Sequence, residues 1–165
     1  MRNKMPIILS ILLFLPLLGI SQEVSKVDGK YVNEDGELFT GTYKDYYENG
    51  NLKSEISVKE GILDGKSYFY YQDGSKKEVR SYKKGKMHGT WLNWNKNRVK
   101  IALAHYHKGK KDGTWKIWDK KGTLRFKMKY KEGEKTGIWY NYDEKGELIA
   151  TRKYNGQEKL KNKNK

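Results

Sequence analysis

The sequence predicts an all-β protein, an elongated single-layer antiparallel meander of tandem β-hairpin repeats. Glycine recurs every 24 residues at Gly41, Gly65, Gly89, Gly113 and Gly137, and two companion series keep the same interval: Gly61, Gly85, Gly109 and Gly133, and Gly50, Gly74, Gly122 and Gly146. These series hold 13 of the 17 glycines. A fixed period of this size marks a repeat array, in which each unit buries its surface against its neighbours. Composition agrees: mean hydropathy is −0.99, yet aromatic residues reach 13%. A polar chain rich in aromatics and punctuated by glycine suits a thin sheet better than a thick core, and its aromatic content argues against disorder.

Each unit opens with a short aromatic strand. The openings read Gly41-Thr-Tyr-Lys-Asp-Tyr, Gly65-Lys-Ser-Tyr-Phe-Tyr, Gly89-Thr-Trp-Leu-Asn-Trp, Gly113-Thr-Trp-Lys-Ile-Trp and Gly137-Ile-Trp-Tyr-Asn-Tyr. Aromatic residues stand two and five places after the glycine, except that Ser67 takes the first slot of the second unit. Such runs before a turn signal read as strands. The turn follows at Asn49-Gly50, Asp73-Gly74, Lys121-Gly122 and Lys145-Gly146, where Asn-Gly and Asp-Gly supply the positive φ of a tight hairpin. In the third unit Arg98 replaces the glycine, and Asn97 is expected to carry the left-handed residue.

The returning segment alternates. Leu124, Phe126, Met128 and Tyr130 are expected on one face and Thr123, Arg125, Lys127 and Lys129 on the other. Leu52, Ile56 and Val58 occupy the same slots in the first unit, and Tyr82, Tyr106, Tyr130 and Tyr154 close the later ones. A second turn, Lys84-Gly85 or Lys108-Gly109, leads into the next unit. Roughly a dozen strands at about 4.8 Å spacing give a twisted layer on the order of 55 Å across, with one aromatic face. The last unit carries Gly156 where the lattice calls for position 157.

This divides the chain into four parts. Residues 1–21 combine Arg2 and Lys4, an apolar run from Pro6 to Leu18 and a small-residue exit at Gly19-Ile20-Ser21, which is the pattern of a secretory signal peptide. The run is shorter than the roughly 18 residues of a membrane span. Residues 22–40 form a lead-in and partial repeat, 41–156 hold the five full repeats, and 157–165 form a lysine-rich tail expected to fray. The expected location is therefore the periplasm, the outer membrane's surface or the medium. The chain has no cysteine, so stacking rather than disulfides must hold the repeats. Its formal charge of +15 favours anionic surroundings.

The string Gly85-Lys86-Met87-His88-Gly89-Thr90-Trp91 resembles the core of a MORN repeat. Tyr46-Tyr47-Glu48-Asn49-Gly50-Asn51-Leu52-Lys53 and Glu37-Leu38-Phe39-Thr40-Gly41 resemble the bacterial variant of that repeat. The resemblance covers nearly all of residues 28–156. It implies a hairpin array used as a scaffold or contact surface, and many bacterial members are labelled antitoxin-like components of toxin–antitoxin systems.

Catalytic chemistry finds little support. Without cysteine and without a serine in a strained elbow there is no nucleophile system, and no phosphate-binding glycine–lysine loop occurs. Asp45 and Glu48 flank turns, where solvation explains them. His105 and His107 share a strand face, but no third ligand is recognisable beside them, and structural zinc takes four. His88 reads as a turn residue. The sequence therefore assigns no catalytic, cofactor or metal site.

Two surfaces remain. Trp91, Trp115 and Trp139 are expected to stack between hairpins, with an open ring face available to a partner. Lys84, Lys86, Lys108, Lys110 and Lys131 fall in successive between-unit turns, with Lys83, Lys111 and Lys135 beside them. Turns two strands apart lie roughly 10 Å from one another, near the Debye length, so these charges are expected to act as one stripe. The expected partner is a protein bound by the repeated face. Anionic lipid headgroups or acidic polysaccharide on the lysine edge form the alternative, and nucleic acid ranks last because it conflicts with export.

Overall fold

A computed structural model describes residues 23–156 and 158–159. The expected signal peptide and most of the lysine-rich tail lie outside these residues. Among them every regular element is a strand. A small hairpin, β1 (Ser25–Val27) and β2 (Lys30–Val32), precedes the main sheet. Five hairpins follow: β3 (Gly41–Tyr46) with β4 (Leu52–Lys59), β5 (Ile62–Tyr70) with β6 (Lys76–Lys83), β8 (Gly89–Trp94) with β9 (Lys100–His107), β11 (Gly113–Trp118) with β12 (Leu124–Lys131), and β13 (Glu134–Tyr142) with β14 (Leu148–Asn155). The two-residue strands β7 (Lys86–Met87), β10 (Lys110–Lys111) and β15 (Glu158–Lys159) begin the return across three of the between-unit turns, and β5 and β13 begin it across the other two.

The sheet has 13 strands, and its neighbours follow chain order from β3 to β15. This is the antiparallel meander that the repeat pattern predicts. Successive hairpins join through the same two positions: Tyr68 and Phe69 pair with Glu55 and Ser54, Leu92 and Asn93 with Val79 and Glu78, Lys116 and Ile117 with Leu103 and Ala102, and Tyr140 and Asn141 with Lys127 and Phe126. The layer has little interior. Its buried apolar residues are Val32, Val58, Ala104, Tyr130 and Tyr154, three of them at the slot that closes the returning strand.

The two kinds of turn differ in chemistry. Between units, two consecutive residues have positive φ: Glu60 (51°) and Gly61 (75°), Lys84 (49°) and Gly85 (75°), Lys108 (47°) and Gly109 (87°), Glu132 (50°) and Gly133 (95°). This is the primed turn that matches the right-handed twist of a hairpin. Within units only one residue is left-handed, and Asn49 and Asp73 are not. Their carboxamide and carboxylate instead accept the amides of Asn51 (3.1 Å) and Ser75 (2.9 Å), as side chains that rigidify a turn do. In the third unit the left-handed residue is Arg98 itself (φ 61°), not Asn97. Asn95 stabilises that turn by accepting the amides of Asn97 and Val99. Replacing Arg98 with glycine is therefore expected to raise unfolding free energy by about 1 kcal/mol, read by urea denaturation, because the left-handed conformation costs an L-residue roughly that much.

A bulge changes the face assignment of the returning strand. Ile117 pairs with Phe126 but Trp118 pairs with Leu124, so one residue of β12 is unmatched. Directly paired residues share a face and adjacent residues do not, so Leu124 lies opposite Phe126, Met128 and Tyr130 rather than beside them. Leu52 is moved in the same way by the shift between Asp45 and Tyr46, and pairs with Tyr46. The aromatics at the glycine-plus-five slot consequently face away from the tryptophans at glycine-plus-two. The sheet has two aromatic faces, not one.

The last unit keeps its register. Tyr154 pairs with Lys159 as Tyr130 pairs with Lys135, and Gly156 (φ 72°) occupies the left-handed position held by Glu132 one unit earlier.

Candidate contact surface

On the glycine-plus-two face the repeat period brings seven rings into one ladder. Tyr82, Trp91, Tyr106, Trp115, Tyr130, Trp139 and Tyr154 follow one another with centroid separations of 5.6, 4.9, 5.2, 5.4, 5.2 and 4.7 Å. All are tilted or edge-on pairs, the arrangement in which the ring quadrupoles attract. Each predicted tryptophan also closes a backbone gap. The indole N–H groups of Trp91, Trp115 and Trp139 donate to the carbonyls of Ser81, His105 and Lys129, each at 3.0 Å. Trp91, Trp115 and Trp139 remain half-buried, so their structural role leaves ring surface open to solvent.

Cations lie on this ladder. The Lys111 ammonium stands 4.4 Å from the Trp115 ring centre and 4.9 Å from that of Tyr130; Lys135 stands 5.2 Å from Trp139 and 5.3 Å from Tyr154. Burial raises the phenol pKa of both Tyr106 and Tyr130, so both rings stay neutral well above physiological pH.

The ladder stops at the second unit, where Ser67 takes the tryptophan's slot. Ser67 is fully buried, and Arg80, its direct cross-strand partner, sits 4.6 Å from the Phe69 ring and 5.4 Å from Trp91. The Glu78 carboxylate accepts from the Arg80 guanidinium at 2.7 Å and raises its pKa further. Sequence reading missed this cluster. Its signal was the serine in an aromatic slot paired across the hairpin with the arginine.

The predicted lysines do line one edge. Lys84, Lys86, Lys108, Lys110 and Lys131 are all exposed, in or beside the between-unit turns. The stripe is uneven, because Glu60 and Glu132 take the slot of Lys84 and Lys108. Lys110 approaches Glu132 at 3.6 Å, and Lys131 approaches Asp112 at 3.6 Å. These exposed pairs are weak, yet they leave Lys84, Lys86 and Lys108 as the lysines of this set without an ion pair among the described residues.

A lattice of hydrogen bonds holds this edge together. The Thr40 hydroxyl accepts from the Glu60 amide (2.8 Å), Asp64 from that of Lys84 (2.9 Å), His88 from that of Lys108 (3.5 Å) and Asp112 from that of Glu132 (3.1 Å). Backbone bonds from Gly61, Gly85, Gly109 and Gly133 to Phe39, Leu63, Met87 and Lys111 run beside them. The turn role read for His88 thus has a concrete form, the clasp of the next turn.

All three histidines border one shallow hollow, with Gly89, Asp112 and Gly113 beside them. His88 and His107 approach to 5.0 Å between ring centres, and His105 meets the Thr90 hydroxyl at 3.3 Å. Among the described residues no group of three or more metal-ligating side chains is placed to hold an ion.

The amide of Glu132, and after it Lys131, holds the Asp112 carboxyl below the usual carboxylate range. A pKa lowered by folding adds stability above the unfolded value, and that stability is lost as pH falls through the lowered folded value. Stability is therefore expected to drop below about pH 4, with a shallower acid dependence in Asp112→Asn, read by thermal melts from pH 7 to pH 2.

Against known families, the model described as the MORN repeat variant matches residues 39–60, 63–84 and 111–132. Each match begins two residues ahead of a lattice glycine, at Gly41, Gly65 and Gly113, and ends in a between-unit turn. No curated protein matches the chain. With three matched repeats set in one continuous lattice of hairpins, the chain carries tandem MORN-variant repeats.

Proposed function

We propose that this protein is an exported, non-enzymatic scaffold that binds a protein partner through the open rings of its aromatic ladder. The observation that carries the reading is the ladder itself. Seven rings in contact across four units form a rigid contact strip whose aromatic anchors are held in place before binding, and such anchors contribute heavily to protein interfaces. Exposed Phe126 extends the strip on the same face. An antitoxin-like role is one form this binding takes if the partner is a toxin. The test is capture of partners on tagged residues 22–165 from the envelope of the source cells, washed at low and then high salt. One stoichiometric protein that survives high salt and is lost with Phe126→Glu supports the reading. Retention of that protein by Phe126→Glu would place binding elsewhere.

A second reading rests on Lys84, Lys86 and Lys108, exposed edge lysines that make no ion pair among the described residues. Here the turn edge docks on anionic lipid headgroups or acidic polysaccharide, and binding weakens steeply with salt. Flotation with vesicles containing phosphatidylglycerol, compared between the native chain and Lys84→Glu/Lys108→Glu, separates the two readings. Salt-insensitive association would count against the electrostatic one.

A further inference from the structure

We propose that the outer edge of β14 is a strand-addition site for an extended acidic segment of another protein that carries an aromatic side chain. The repeat lattice supplies the observation. Four returning strands join the next unit through the same two residues: Ser54 and Glu55, Glu78 and Val79, Ala102 and Leu103, and Phe126 and Lys127. The equivalent residues of β14 are Ala150 and Thr151. Among the described residues they pair only with β13, because β15 covers no more than Tyr154 and Asn155. An edge of this kind offers a row of backbone donors and acceptors to an incoming strand.

The side chains along the edge describe the occupant. Leu148 and Ile149 are 54% and 59% exposed, and with Ala150 and Thr151 they make an uncharged, strand-forming run. Beside it on the ladder face lies a groove of about 440 Å³, lined mainly by Phe126, Met128, Trp139, Ala150, Arg152 and Tyr154. In each of the two preceding steps the opening strand lays an indole against the tyrosine of the unit before it: Trp115 on Tyr106 at 5.2 Å, and Trp139 on Tyr130 at 5.2 Å. A strand docked in the same register sets an aromatic residue against Tyr154 in the same way.

Charge selects the rest of the occupant. Arg152 and Lys153 end the uncharged run, and the Lys135 ammonium lies 5.3 Å from the Tyr154 ring centre. The chain's own sequence beyond β15 fits poorly, because the lattice assigns Lys161 and Lys163 to the slots of Gly137 and Trp139. Those lysines bring like charge and no ring. An acidic strand from another protein supplies both missing features. The inference rests on the protein-binding reading and adds where a partner strand docks and what chemistry it carries.

The test uses a labelled synthetic peptide with the sequence of residues 132–143, the acidic, tryptophan-bearing segment that pairs with β12 inside the chain. Fluorescence anisotropy should show saturable binding to the full chain. Thr151→Pro removes an edge amide, and Arg152→Glu reverses the charge without touching the backbone; each should weaken binding about tenfold or more. The amides of Thr151 and Lys153, which alternate with those directed at β13, should gain exchange protection only when the peptide is present. Absence of binding, or affinity of either variant equal to that of the native chain, would overturn the proposal. So would protection of these amides in the chain alone, which would make its own tail or a second copy the occupant. A peptide that fails while salt-resistant capture of a partner persists removes the edge site and leaves the protein-binding reading intact.

Discussion

Replacing Trp115 with alanine is expected to lower unfolding free energy by about 3 kcal/mol, near the low end for tryptophan because the ring is only half-buried. Trp115 stands at the centre of the ladder. It meets Tyr106 at 5.2 Å and Tyr130 at 5.4 Å, lies under the Lys111 ammonium, and donates its indole N–H to the His105 carbonyl. In a layer whose buried apolar residues are so few, contacts between neighbouring units supply most of the cohesion. Urea denaturation of the native chain and the variant measures the effect. A loss below about 1 kcal/mol would mean the ladder is surface decoration, because that is the scale of a single cross-strand pair.

The second large effect is expected at Gly113, where alanine should cost about 2–3 kcal/mol. Its φ is +101°, a conformation that an L-residue rarely adopts, and a Cβ there would lie 3.2 Å from the Cβ of His105. That neighbour is fixed to the backbone of β9 and cannot swing away. Gly50 makes the comparison, since its φ is +81° but nothing lies within 4 Å of an added Cβ. Gly50→Ala should therefore carry the conformational cost alone, about 1 kcal/mol. Equal losses at the two positions would show that close packing between adjacent units contributes nothing at Gly113.

Much of this fold was legible in the chain because its constraints are local and repeated. The positive φ at Gly50, Gly74, Gly122 and Gly146 and the strand-forming runs between them are fixed by residue type. Copying the unit multiplies a weak signal. The errors came from single-residue effects that the pattern hides. One bulged residue in β12 carries Leu124 to the other face, although simple alternation from Tyr130 reads smoothly through it. The presence of two aromatic faces was readable in principle, since slots three apart in one strand must point in opposite directions.

The candidate surfaces were only partly legible. The tryptophans could be placed in register, but their indole bonds to Ser81, His105 and Lys129 depend on how one hairpin meets the next. The approach of His88 to His107 likewise joins residues from neighbouring units. The lysine stripe was overestimated because Glu132 and Asp112 lie in the adjacent turns, close enough to pair with Lys110 and Lys131. Ser67 and Arg80 show the reverse case, in which a departure from the repeat marked a local arrangement that the consensus had concealed.

The most direct test of the account is removal of one unit. Deleting the 24 residues 89–112 joins His88 to Gly113, keeps the remaining lattice glycines in register and brings Tyr82 beside Trp115. This variant should remain a folded β-sheet, with amide resonances of the first and last units close to those of the native chain. Deleting residues 89–111 instead slips the lattice by one position, which turns each later side chain to the wrong face at the junction, and should abolish cooperative folding. Equal tolerance of both deletions, or equal collapse, would contradict a structure built on the 24-residue unit.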